Sequence, residues 1–306
     1  MSRRLTAVAI LLIICGSSAL ADTFGLGTAG PGNWGILETG SGSTVSMTNG
    51  TGITVNSGAS ASQANLGITS GSKLNQSGTV VVQGTYYKFS TNADSTTSGF
   101  TAVRGVNTTS TGTITTAAMQ ASAASSNLAG LTPNQTLGTI STSTTISATV
   151  PGRNVINVTG ITLGNGTTLT LSGSATQSFV INVTGTSNVT FDNISLTGGL
   201  TAANLIFNVL HGDTVTDNSP GRVNGIIMDI GGSVSLTSND TLNGEIISGN
   251  NISLSNNSDV EVVQTVPEAS TAAYFTLGPL SLAAVMLLHR RFSRRKQTLA
   301  PNLTFR

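Results

Sequence analysis

Few side chains here are suited to catalysis or metal binding, and their spacing limits what they can do. His211 opens the segment His211-Gly212-Asp213, with Asp217 close behind, a set that suggests a metal ligand or a base. Zinc normally takes three or four protein ligands, so one imidazole and two loop carboxylates fall short. The set reads as a solvated loop. Glycoside hydrolysis needs two carboxylates flanking the scissile bond. The acids of the central region stand singly, and the nearest pair by repeat position, Asp229 and Glu245, falls in different phases of a strand. Serine and threonine abound, but a hydroxyl nucleophile needs a paired base. Calcium sites of the Asp-rich kind need dense oxygen ligands, and Gly231-Gly232-Ser233 is no such nonapeptide. Cys15 is the only cysteine, and it lies in the apolar stretch at the N-terminus. Without that stretch the chain carries no thiol for a disulfide, a metal or a nucleophile. No catalytic, cofactor or metal site is expected, and the chain reads as a non-enzyme.

Hydroxyl and amide groups are what the sequence supplies in quantity, and a repeat determines where they stand. Asn154-Val155-Ile156-Asn157-Val158 returns as Phe179-Val180-Ile181-Asn182-Val183 and again as Leu205-Ile206-Phe207-Asn208-Val209. Leu169-Thr170-Leu171-Ser172-Gly173 is echoed by Ile194-Ser195-Leu196-Thr197-Gly198. Further on the period shortens: Asn224-Gly225-Ile226-Ile227 recurs at Asn243 to Ile247, and Ser233-Val234-Ser235-Leu236 at Asn251 to Leu254. Each unit is a pair of short strands between Gly, Asn or Ser turns. One unit cannot bury its apolar face alone, whereas stacked units bury a continuous column. Strand alternation places Ile156, Ile181 and Phe207 inside and Asn157, Asn182 and Asn208 on the opposite, surface side.

The fold class expected is therefore all-β, a β-solenoid spanning residues 131–265. A β-sandwich with regular hairpins is the alternative, and the strict spacing argues against it. An Ala-rich stretch at 115–130 reads as one amphipathic helix ended by Gly130, with Met119, Ala123 and Leu128 as core contacts. Residues 22–114 alternate strands and turns less regularly, and Trp34, Tyr86 and Tyr87 read as packing residues there. Outward Thr168, Thr170, Thr190 and Thr197 form the candidate binding face, although Thr168 and Thr170 are followed one coil later by Asn193 and Ser195.

Composition supports this reading. Only 8% of the residues are charged and 4% aromatic, while Gly numbers 36 and Pro only 7. Plentiful Val, Ile and Thr favour strands over disorder. Acidic side chains outnumber basic ones between Asp22 and Val266, which excludes the basic face that nucleic acid requires.

The basic residues gather at the two ends. Residues 1–21 read as a secretory signal helix: Arg3 and Arg4, an apolar core, then Ala19-Leu20-Ala21 as the cleavage site for signal peptidase. Residues 266–306 read as a tail whose 272–288 run is a membrane helix at the short limit for spanning, followed by a basic cluster that stays cytoplasmic. Before it stands Val266-Pro267-Glu268-Ala269. This layout resembles the PEP-CTERM sorting signal of Gram-negative bacteria, although Ala269 replaces the usual second proline. The resemblance implies processing by an exosortase at Pro267 and Glu268, inner-membrane anchoring, and then release to the cell surface or beyond. In such a setting the Asn-x-Ser/Thr triplets reflect composition.

The ragged N-terminal β region, the Ala-rich helix and the coils through Leu242-Asn243-Gly244-Glu245-Ile246-Ile247 resemble the ice-binding-like β-solenoid proteins. They are equally similar to the choice-of-anchor A, or collagen-binding-like, domains. Those resemblances imply a helix beside the solenoid. A rigid solenoid without a catalytic constellation presents regularly spaced hydroxyls and amides, which suits an extended, repetitive partner. Exopolysaccharide or cell-surface matrix is expected first, ice second, and a host or surface protein third.

Overall fold

The computed structural model describes residues 24–263, apart from residues 31, 57–58, 218–219 and 238. Two signals expected from sequence, the signal helix at 1–21 and the membrane helix at 272–288, lie outside the described residues. No helix among the described residues is long and apolar enough to cross a membrane.

The described residues form a β-solenoid of parallel strands with one α-helix along its side. Arg153–Ile161, Ser178–Val183 and Leu205–Val209 pair in the register of the sequence repeat, with Ile156 beside Ile181 and Ile181 beside Phe207. The column continues through Ile227, Ile246, Ile36, Leu66 and Tyr86, all buried inside the coils. Short apolar β-branched runs form these strands because each is covered on both sides, and single-faced alternation disappears where both faces are buried.

From Arg222 onward the coils shorten. One strand, Arg222–Asp229, turns a corner that the preceding coil turns with a loop, and Thr241–Ser248 repeats the device. Glycine makes the corner possible. Gly225 and Gly244 adopt φ of +126° and +157°, and a Cβ on Gly244 would lie 1.9 Å from the Gly225 carbonyl oxygen.

The C-terminal coil does not end the stack. Thr241–Ser248 pairs with Ile36–Glu38, Ile252–Leu254 with Thr44–Met47, and Asp259–Val262 with Thr51–Val55. The stack then runs on through the N-terminal coils to Phe100–Ala102 and Val106–Asn107. The N-terminal region expected to be irregular is thus built of regular coils. Its regularity is set by strands far away in sequence.

Helix α1, Thr111–Ala129, then carries the chain back to the opposite end, where Gln135–Ile140 begins the first coil. It starts before the expected residue 115. Ile114, Ala117, Ala121, Ala124 and Leu128 face the sheet, where small side chains let the helix lie close to Val155, Val180, Ile206 and Ile226. Of the expected contacts only Leu128 is buried; Met119 is 61% exposed and Ala123 points to solvent. An Ala-rich helix has too little contrast between its faces to mark the buried one.

The same helix corrects the expectation for the asparagines. Asn182 and Asn208 lie on the side opposite Ile181 and Phe207, as alternation requires, yet both are buried beneath α1. Asn182 Nδ2 donates to the Leu128 carbonyl at 3.0 Å, and Asn208 Nδ2 donates to the Ser125 carbonyl at 3.0 Å. They are ties to the helix, not surface groups.

Candidate binding face

A six-stranded parallel sheet forms a second face of the solenoid: Val189–Phe191, Thr214–Asp217, Ser233–Leu236, Ile252–Leu254, Thr44–Met47 and Lys73–Gln76. Alternation divides every strand. Val189, Val215, Val234, Ile252, Val45 and Leu74 point inward in one register line and are buried. The next residue of each strand points outward, giving the line Thr190, Thr216, Ser235, Ser253, Ser46 and Asn75. Bridges to Thr162 at one end and Ser95 at the other extend it. Adjacent strands are about 4.8 Å apart, so the line is a ladder of small polar groups at that spacing.

Two further files flank it. Thr214 and Ser233 stand in register on one side, as do Thr44 and Lys73, with the Asn251 side chain accepting from the Thr44 amide at 2.9 Å between them. Thr237, Ser255, Thr48 and Ser77 follow the strands on the other. The files lie roughly 6.6 Å apart along the strands, two residues of rise. Lys73 is the only charged side chain among the residues named in these three files. Such a surface presents hydroxyls and amides without ion pairs, on a sheet held from behind by a packed core.

The expected threonines do not share one face. Thr190 belongs to this ladder. Thr168, Thr170 and Thr197 lie on a separate three-stranded sheet, where Thr168 pairs with Asn193, Thr170 with Ser195 and Ser172 with Thr197. Thr216, Ser235, Ser253 and Ser46 were not assigned to a binding face by the sequence. Their signal is the alternation Thr-Val-Thr at 214–216, Ser-Val-Ser at 233–235 and Thr-Val-Ser at 44–46. The residues Ala21, Pro267 and Glu268, expected to direct processing, lie outside the described residues.

The acidic residues are dispersed. His211 is exposed and Asp217 is buried in register with Leu236, so that set does not converge. Among the described residues no group of three or more His, Cys, Asp or Glu side chains is placed to hold a metal. Asp229 and Glu245 sit in paired strands but at different rungs, Asp229 beside Ser248 and Glu245 beside Ile226. Asp229 is raised to about 7, first by burial and then by nearby Asp213, with the amides of Gly232 and Gly231 acting to lower it. Burial alone raises Glu245 well above the usual carboxylate range. Glu38 is raised by burial too, although it accepts from the Gly40 amide at 2.7 Å and from the amide and hydroxyl of Thr69 at 3.0 and 2.7 Å. Glu38 braces a turn and is bonded entirely to its own fold.

Residues 16–262 match the family model of an ice-binding-like adhesive domain. Comparison with curated proteins finds no match. Among solved structures, an ice-binding protein from the Antarctic ascomycete Antarctomyces psychrotrophicus is 18% identical with a TM-score of 0.51, covering 78% of this chain and 98% of that one. An ice-binding protein from an Antarctic biological consortium is 18% identical with a TM-score of 0.52, covering 78% and 90%. A domain of ice-binding protein 1 from Shewanella frigidimarina is 14% identical with a TM-score of 0.52, covering 78% and 97%. At these identities the likeness is one of fold.

Proposed function

We propose that this chain, which belongs to the family of ice-binding-like adhesive domains, is a non-catalytic adhesive protein that lays its hydroxyl ladder on the ordered surface of ice. The observation that carries the reading is the unbroken register line Thr190, Thr216, Ser235, Ser253, Ser46 and Asn75. A lattice surface offers hydrogen-bonding groups at fixed intervals. A rigid sheet that already holds its own groups at fixed intervals gives up little conformational freedom on docking. The near-absence of charge fits a neutral surface. The test is ice growth in the purified full chain: faceted crystals or inhibited recrystallisation at micromolar protein support the reading, and ordinary disc-shaped growth overturns it.

A second reading, binding to exopolysaccharide or cell-surface matrix, is favoured by one detail. The middle of the ladder is Ser235, Ser253 and Ser46, hydroxyls without the methyl groups that threonine would add. Retention on the organism's own exopolysaccharide, with no effect on ice, would establish it.

Delivery follows from the ends of the sequence. In this proposal signal peptidase cuts after Ala21, and an exosortase recognises Pro267 and Glu268 after the tail has anchored in the inner membrane. Fractionation of a strain carrying Pro267→Ala and Glu268→Ala should show the uncut form retained there. Unchanged release of a trimmed product would leave a plain anchor or none.

A further inference from the structure

Glu245 continues a row that is otherwise aliphatic. Val155, Val180, Ile206 and Ile226 precede it on successive coils, in register and on the side that α1 covers. Its side chain is 0% exposed, and neither carboxyl oxygen is hydrogen-bonded among the described residues. The preceding coil fills this rung with isoleucine, so packing alone does not call for an acid.

Beside it runs the segment from Phe24 to Trp34. The Ile246 amide, one peptide bond from Glu245, donates to the Gly35 carbonyl at 2.9 Å, so the segment enters the sheet next to this side chain. Phe24, Leu26, Ala29 and Trp34 are buried in the same apolar cluster as Ile226 and the inner face of α1. This cover is lightly held. None of its described residues is in a strand. Thr28 donates through its amide and hydroxyl to Gln120 Oε1 at 2.7 and 2.6 Å, and the Asn33 carbonyl accepts from Asn65 Nδ2 at 2.6 Å. Trp34 Nε1 donates to the Thr28 carbonyl at 2.7 Å, within the segment itself. Segments with few bonds to the rest open at lower free energy than core strands.

No counter-ion is at hand. Neither α1, residues 24–34 nor the turn Ala202–Asn204 carries a charged or titratable side chain. On the neighbouring strands Arg222 pairs with Glu261 at 2.7 Å, Asp229 stands beside Ser248, and Glu38 bonds to Gly40 and Thr69. Asp259 and Glu261 stand beside Thr241 and Asn243, before the Gly244 corner. Tyr87 meets Trp34 edge-on with ring centroids 5.3 Å apart. A carboxylate ionised at Glu245 would have neither partner nor water. Lifting the cover supplies water without breaking a strand ladder.

We infer that Glu245 is a proton-operated latch on this cover: protonated, it is seated under the segment carrying Leu26, Ala29 and Trp34; ionised, it releases that segment while the coils stay stacked. Burial raises this carboxyl with no opposing influence, so the latch is closed at low pH and opens as pH rises through the raised value. The hydroxyl ladder lies on another sheet, and the latch does not depend on what it binds.

Trp34 is the only tryptophan of the chain, so its fluorescence reports the cover. The test follows it in the full chain, in detergent micelles, as pH is raised from the acid side, with far-UV circular dichroism reporting the coils. Tyr87→Phe is present throughout, so that a phenolate does not quench Trp34. Acrylamide quenching should rise about threefold in a one-proton step while the dichroism holds. Glu245→Gln, which keeps the neutral shape, should abolish the step. A step that survives in Glu245→Gln overturns the inference, as does quenching that rises only when the dichroism collapses. Should Glu245→Gln fail to fold, the chain with glutamate carboxyl carbons labelled decides: the Glu245 resonance must move together with the Trp34 indole resonance, and separate midpoints overturn the latch.

Discussion

Glu245 stands in parallel register with Ile226 on the neighbouring coil, and its carboxyl is buried with neither oxygen hydrogen-bonded among the described residues. One coil places an aliphatic side chain at this rung and the next places an acid. Burial keeps the acid protonated in the fold, while in the unfolded chain it ionises near its ordinary value of 4.5. Folding therefore favours uptake of a proton above that ordinary value. The stability this group allows is whole below its unfolded value and is lost as pH rises towards the raised folded one. Asp229 has the same sign, its share falling between 3.8 and about 7.

Glu245→Ile, which copies the residue at the adjacent rung, should add about 2 kcal/mol of stability at about pH 8 and less at about pH 4. Urea unfolding at the two pH values measures both gains. Equal gains would mean that the carboxyl is not held neutral.

Asn208→Ala removes the bond to the Ser125 carbonyl and two side-chain bonds, one from Ser125 Oγ and one to Asn182 Oδ1. It should cost about 2–3 kcal/mol by leaving buried partners unpaired. Asn157→Ala, at the half-buried end of the same row, should cost under about 1 kcal/mol. Equal costs would show that the helix ties contribute little.

Ser253→Lys puts a long cation in the middle of the ladder. Surface adsorption should weaken at least tenfold, whether the surface is ice or polysaccharide, with the unfolding midpoint nearly unchanged. Thr170→Lys, on the other sheet, should leave adsorption intact. Adsorption assays with both variants distinguish the two faces, and the reverse pattern would move the binding face to the three-stranded sheet.

Gly244→Ala forces a methyl against the Gly225 carbonyl oxygen in a conformation disfavoured for any L side chain. The loss should be about 4 kcal/mol or more, measured as soluble yield and thermal midpoint. Gly112→Ala, which meets nothing within 4 Å at the start of α1, is the matched control and should be close to neutral.

The register of Ile156, Ile181 and Phe207 was legible because adjacent coils there are also adjacent in sequence and of nearly equal length. The N-terminal coils looked ragged because Ile36 takes its register from Ile246. No local period connects those two residues. Ser46 and Ser253 share a rung for the same reason and could not be placed on one ladder from sequence offsets. Asn182 was read on the correct side of its strand and given the wrong environment, since alternation reports a side and not what covers it.

The pairing of Ile36 with Ile246 also determines when the molecule can be completed. A solenoid of consecutive coils can zip up as its chain is synthesised, each coil templating the next. Here the strands carrying Ile36, Val45 and Ile53 are made early, and their neighbours carrying Ile246, Ile252 and Val260 are made late. Contacts so distant in sequence close slowly. Until they close, each half of the stack keeps an open strand edge able to pair with another chain. The final coil thus acts as a keystone. A chain stopped short of Val262 would present two unfinished edges in place of one shortened solenoid, and aggregation, not mild destabilisation, is the failure to expect.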